Sequence, residues 1–148
     1  MNIILAYIGV VLMVALSGSG SAYGTSIAAN ATVGAMKKRM NSFGQSMILS
    51  ALPATQGLYG FAAFFLMLNK LKVMETLSIN ASLAVLAVGV ALGIVGFYSA
   101  IKQASLVANG INEMANGNDV FGKTLILGVF PELYAILAFA AAFLALPA

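Results

Sequence analysis

The chain has no cysteine and no histidine among its 148 residues, and only 7% of it is charged. The first two absences exclude disulfides, thiolate chemistry and imidazole-held metals. The scarcity of charge excludes an ordinary soluble domain, in which about 25% of residues are charged. With 61% hydrophobic residues, the chain reads as an integral membrane protein whose solvent is mostly lipid. No segment alternates polar with apolar residues, so membrane-spanning strands are excluded as well. The net charge of +3 is not a nucleic-acid signal, because the basic residues sit where membrane proteins place them, in loops.

What remains is long and apolar. Residues 1–36, 40–69 and 76–101 are free of charge, and 124–148 carry a single charge, Glu132. Each stretch exceeds the roughly 20 residues that a helix needs to cross the hydrocarbon. The N-terminus lacks the basic region of a secretory signal, and its apolar run is longer than a cleavable core. It is read as a first transmembrane helix that is retained. The charges cluster between the stretches. Lys37, Lys38 and Arg39 mark a first loop at about 37–42. Lys70, Lys72 and Glu75 mark a second. Glu113, Asp119 and Lys123, with Asn116, Gly117 and Asn118 as turn residues, mark a third at about 111–122. Lys/Arg excess marks the cytoplasmic side. Loops one and three are therefore expected in the cytoplasm, with loop two and both termini outside.

The chain also repeats itself. Residues 43–53 (FGQSMILSALP) match residues 121–131 (FGKTLILGVFP) without a gap, at an offset of 78. The offset continues through Phe61/Phe139, Phe65/Phe143 and Leu66/Leu144. A looser match at an offset of 76 pairs Gly20, Ala28 and Gly34 with Gly96, Ala104 and Gly110. The reading is an all-α membrane protein of four transmembrane helices, built as two tandem hairpins over 1–72 and 73–148. Both hairpins have the same orientation, which calls for an axis along the membrane normal. The first and third helices are rich in small residues (Gly20 and Gly24; Gly89, Gly93 and Gly96), which allow close backbone approach in lipid. The second and fourth carry bulky Phe, Leu and Tyr. Glycine spacing alone fits an ordinary four-helix bundle. The repeat favours a ring with the small-residue helices on its inner wall and the bulky ones toward lipid.

Glu132 is the sharpest feature. It follows Pro131 in the middle of an apolar helix, and an intramembrane acid costs several kcal/mol and marks an ion path or proton relay by default. In the repeat Ala54 takes its place, so one hairpin has the carboxylate and the other does not. On the second helix Leu52, Thr55, Gln56 and Tyr59 are spaced i, i+3, i+4, i+7, which is one helical face. Gln103 lies on the third helix. Together these residues offer oxygen donors and no sulfur or imidazole, a set suited to a hard cation. One carboxylate neutralises a monovalent ion and not a divalent one, which leaves Na⁺ or H⁺. A proton needs only the carboxylate; Thr55, Gln56 and Gln103 are surplus for it and useful for Na⁺. Pro53 and Pro131 remove backbone donors and loosen the carbonyls of Leu49 and Leu127. Blander roles exist for each neighbour. Thr55 can bond its own backbone, Gln56 and Gln103 can bridge helices, and Tyr59 can sit at an interface. Lys102 can snorkel toward a helix end or pair with a carboxylate.

Over its whole length the chain resembles the proteolipids that form the membrane rotor ring of V-type (A/V-type) ATPases, the sodium-translocating branch in particular. The most specific pieces are residues 52–60 (LPATQGLYG) and 131–136 (PELYAI). The resemblance implies a non-catalytic, ion-carrying subunit in which Glu132, Thr55, Gln56, Gln103 and the backbone carbonyl of Leu52 hold Na⁺, while Tyr59 hydrogen-bonds Glu132. It also implies identical subunits in a ring, a stator membrane subunit supplying an arginine, and a central stalk at loops 37–41 and 113–123. Membrane lipids complete the surroundings, and ATP is handled by soluble subunits. A proton-carrying ring of the same family, and a non-rotary small pore or scaffold, are the competing readings.

Overall fold

The computed structural model describes residues 2–38, 42–74, 76–145 and 147. Every regular element among them is helical: α1 (Asn2–Met36), α2 (Phe43–Ala51), a 3-10 turn (Leu52–Ala54), α3 (Thr55–Lys72), α4 (Ile79–Ala115) and α5 (Phe121–Leu144). The segment from α2 through the turn to α3 forms one span. The described residues thus hold four helical spans long and apolar enough to cross a membrane. Arg39, Asn41 and Glu75, assigned to loops from the charge pattern, lie outside the described residues.

Two points differ from the sequence expectation. The second span is not one regular helix. Pro53 occupies the 3-10 turn, and the Leu49 carbonyl accepts from the Leu52 N–H instead of standing free. Proline is tolerated there because the first turn of a helix asks for no N–H. The third loop is also shorter than 111–122, since α4 continues to Ala115 and carries Glu113 on its last turn. It ends in a Schellman motif: Gly117 N–H donates to the Met114 carbonyl at 3.0 Å and Asn118 N–H to the Glu113 carbonyl at 3.0 Å. Gly117 has φ of 100°, the one positive φ among the described residues. A side chain there costs roughly 1–2 kcal/mol. Gly117→Ala is therefore expected to lower the melting temperature in detergent by a few degrees without changing the helical content seen by circular dichroism.

At 1.5 Å per residue α1 and α4 are about 50–55 Å long, well beyond a hydrocarbon core of about 30 Å, so their ends project from the bilayer. The first and third loops meet at one end, where Lys38 Nζ donates to Asn116 Oδ1 at 3.2 Å. In lipid a hydrophobic effect does not drive helices together; close van der Waals packing does. The sequence supplies it through glycine. A Cβ on Gly9 would lie 2.6 Å from Leu86 Cα, and one on Gly24 2.8 Å from the Ala100 carbonyl oxygen. A Cβ on Gly89 would lie 2.8 Å from Gly9 Cα. Backbones touch along this seam, and α1 and α4 run parallel. The bulky side chains Leu58, Phe61 and Phe65 of α3 and Ile126, Phe130 and Leu137 of α5 stay exposed, as expected for lipid-facing helices.

Two apolar clusters fill the bundle. One joins Val10, Met13, Met67, Leu71, Val85 and Leu92 toward the termini. The other joins Ala28, Leu49, Val107, Ile111 and Met114 toward the first and third loops. Between them lies a layer of buried polar side chains, including Ser17, Ser21, Gln56, Ser99 and Gln103.

Candidate ion-binding site

Within that layer the 3-10 turn, α3, α4 and α5 bring the sequence-selected residues into one cluster. Leu52, Thr55, Gln56 and Tyr59 come from the turn and the first two turns of α3, Gln103 from α4 and Glu132 from α5. Tyr59 Oη donates to Glu132 Oε1 at 2.7 Å. Gln103 Nε2 donates to Glu132 Oε2 at 3.1 Å and to the Gly128 carbonyl at 2.8 Å. Both carboxylate oxygens thus accept from neutral donors. Hydrogen bonds to a charged group contribute about 1.5–3 kcal/mol each, which offsets much of the cost of an acid in the membrane, about 2.5–3.5 kcal/mol on insertion scales.

A second set of contacts fixes the amides. Gln56 and Gln103 are both fully buried. Gln56 Nε2 donates to Gln103 Oε1 at 2.8 Å and to Ser99 Oγ at 3.1 Å. Thr55 Oγ1 donates to the Leu52 carbonyl at 2.9 Å and to Gln56 Oε1 at 3.4 Å. The backbone-bonding and bridging roles open to Thr55, Gln56 and Gln103 are therefore realised in the same place as the oxygen cluster. The ring of Tyr59 packs near that of Phe139, with centroids 6.1 Å apart, and its hydroxyl is engaged by Glu132. Lys102 is exposed, and among the described residues no ion pair involves it, so its pairing with a carboxylate is not seen.

Pro131 lies within α5, which continues through it. The surrounding carbonyls are served by α4: Gly128 O accepts from Gln103 and Pro131 O from Ser99 Oγ at 2.7 Å. Both carbonyls flank the proline, where a neighbouring helix in a membrane protein can supply donors. Ser99 was missed by sequence reasoning. The available signal was its position four residues before Gln103, on the same face of α4. Its hydroxyl links Gln56 of one hairpin to the α5 backbone of the other.

Four membrane-spanning helices in two parallel hairpins, with one carboxylate held among amides and hydroxyls at mid-bundle, define a class: multi-pass membrane proteolipids with an intramembrane acid. The ATP synthase C-subunit family matches this chain twice, at residues 8–67 and 86–145, once in each hairpin, and the chain belongs to that family. It is 36% identical over 134 residues to the A-type ATP synthase subunit K of Methanocaldococcus jannaschii, covering 90% of this chain and 58% of that protein. It is 35% identical over 128 residues to the V-type sodium ATPase subunit K of Enterococcus hirae, covering 86% of this chain and 81% of that one. The chain thus spans little more than half the length of the archaeal relative.

Proposed function

We propose that this chain is the rotor-ring subunit of an A/V-type ATPase and that each copy carries one Na⁺ at Glu132. The observation that bears most weight is the oxygen cluster around a single intramembrane carboxylate. Glu132, Thr55 Oγ1, Gln56 Oε1, the Leu52 carbonyl and Gln103 Oε1 supply one negative charge and four neutral oxygens. That set suits a monovalent hard cation. The sodium ATPase name of the Enterococcus relative points the same way. Tyr59 stays outside the ligand set and holds the carboxylate from the side.

The cycle follows from charge. With Na⁺ bound, Glu132 is neutralised and the site can sweep through lipid. Without it, the carboxylate keeps a net charge in low dielectric that the hydrogen bonds from Tyr59 and Gln103 do not neutralise, which is costly, so an empty site passes only where a stator arginine pairs with it. One charge crossing 100 mV is worth roughly 2.3 kcal/mol, so several ions cross for each ATP. The subunit does no covalent chemistry. Its hairpins, 1–72 and 73–148, act as two units of the ring, a division supported by one family match falling in each. The loops at 37–42 and 116–120 face the cytoplasm and the central stalk.

The rival within the family is a ring that carries H⁺, for which Glu132 suffices. Thr55→Ala separates the two. Removing one of five oxygen ligands is expected to weaken radiosodium binding to the purified protein at least tenfold, or about 1.4 kcal/mol. Sodium transport by reconstituted enzyme should fall with it. Unchanged transport in Thr55→Ala would leave the proton-carrying ring as the better account.

A further inference from the structure

The turn Leu52–Ala54 breaks the regular helix of the second span at the point where the ion cage begins. A 3-10 segment inside a helix has poorer hydrogen-bond geometry and often marks a hinge. Leu52 lies in the turn, and Thr55 and Gln56 follow it directly. The restraints within the span are few. Pro53 has no N–H to give, and Ala54, the N-cap of α3, has no side-chain acceptor. The first N–H groups of an α-helix find no partner inside it. That of Thr55 goes back to the Leu52 carbonyl. That of Gly57 reaches another helix, donating to Ser21 Oγ of α1 at 2.7 Å.

α1 contributes no residue to the proposed cage, yet it meets this stretch at both ends. At the start, a Cβ on Gly24 would stand 3.0 Å from Pro53 Cβ, so the α1 backbone lies directly against the proline ring. At the end, the buried hydroxyl of Ser21 takes the Gly57 N–H. The bareness of Gly57 permits that approach, since a Cβ there would come within 3.1 Å of Ser21 Oγ. Ser21 and Gly24 are three residues apart and share one face of α1. Thr55 and Gln56 stand between the two contacts. The same Gly24 lies against the Ala100 carbonyl of α4, about one helical turn from Gln103.

We infer that Ser21 is a positioning residue for the cation carried at Glu132, a role that rests on the sodium reading above. Its hydroxyl caps α3 from a neighbouring helix, and with Gly24 it holds the turn so that the Leu52 carbonyl and Thr55 face the ion. Without that acceptor the turn takes other positions while the site is empty. The cation then binds only the fraction of copies whose ligands are aimed correctly, and apparent affinity falls by that fraction.

Sodium-binding isotherms on the purified, assembled protein test this with Ser21→Ala beside wild type. The expected result is an apparent Kd raised about threefold to tenfold, the scale of a lost helix cap. The number of sites per chain should stay unchanged, and deuterium exchange at the Gly57 amide should quicken. A merely structural loss would instead lower the number of competent sites and leave the Kd of the rest as it was. Ser21→Cys keeps the size of the side chain and offers only a weak acceptor. It should fall between the two, and it carries the same comparison should Ser21→Ala fail to assemble. Ser17→Ala removes a hydroxyl about one turn away on α1, one that donates to the Met13 carbonyl of its own helix, and should leave the Kd unchanged. Unchanged Kd at Ser21, fewer sites at unchanged Kd, or equal weakening in Ser17→Ala would each overturn the inference and leave the sodium reading standing. Wild-type protein without saturable sodium binding would sink that reading and the role of Ser21 with it.

Discussion

Glu132→Gln is expected to abolish specific radiosodium binding and all ion transport while leaving the assembled protein at its normal size. The amide keeps the shape of the side chain and can still accept from Tyr59, whose Oη lies 2.7 Å from Glu132 Oε1. It loses the one charge that neutralises the ion. The other proposed ligands are neutral oxygens, and desolvating a monovalent cation among neutral groups is not repaid at mid-membrane. The expected loss exceeds the tenfold step foreseen for Thr55→Ala, because a ligand can be replaced by water whereas the charge cannot. Equilibrium binding on purified protein measures it. Retained sodium binding in the variant would assign the ion to other groups.

The second large effect lies in packing. Gly89→Val should prevent assembly of a stable protein, or cost at least about 3 kcal/mol, the upper part of the range for overpacked cores. A Cβ at Gly89 would come within 2.8 Å of Gly9 Cα and closer still to the Gly9 carbonyl. Backbone cannot turn aside as a flexible side chain can, so α1 and α4 would have to separate. Separation would also shift Gln103 and Ser99, which ride on α4 and hold the α5 carbonyls. Thermal denaturation in detergent and size-exclusion profile report the damage. Gly18→Ala makes a useful contrast, since a Cβ at that position would meet nothing within 4 Å; the isolated monomer should tolerate it.

Much of this arrangement could be read from residues alone. Charge-free stretches marked the four spans, because lipid tolerates so few other compositions. The gapless match of 43–53 with 121–131 revealed the two hairpins. The i, i+3, i+4, i+7 spacing from Leu52 to Tyr59 set those residues on one helical face, and from it Tyr59 reaches Glu132 while Gln56 reaches Gln103. Other features were not legible, for identifiable reasons. Proline geometry says which carbonyl loses its helical donor and not which group replaces it. At Pro53 the replacement is local, from the Leu52 N–H to the Leu49 carbonyl, while beside Pro131 the donors Ser99 and Gln103 on another helix serve the carbonyls of Pro131 and Gly128 and not that of Leu127. Ser99 looked like one more small residue in a small-residue helix, and only its partners distinguish it. Glu113 suggests a loop by its charge and so puts the end of α4 too early, whereas the helix continues to Ala115, and Gly117 adopts the positive φ just beyond it. Lys102 could be flagged from sequence as an unusual charge, but the hollow of 590 Å³ that it lines with Phe130 and Tyr134 exists only once α4 and α5 are packed.

The central claim is that Glu132 is occupied by Na⁺ within its oxygen cluster. Labelling by dicyclohexylcarbodiimide, which attacks protonated buried carboxyls, tests it most directly. At neutral to mildly alkaline pH, rising sodium should suppress labelling of Glu132 in a saturable way, with potassium far less effective. Labelling that proceeds at the same rate with and without sodium would contradict the account.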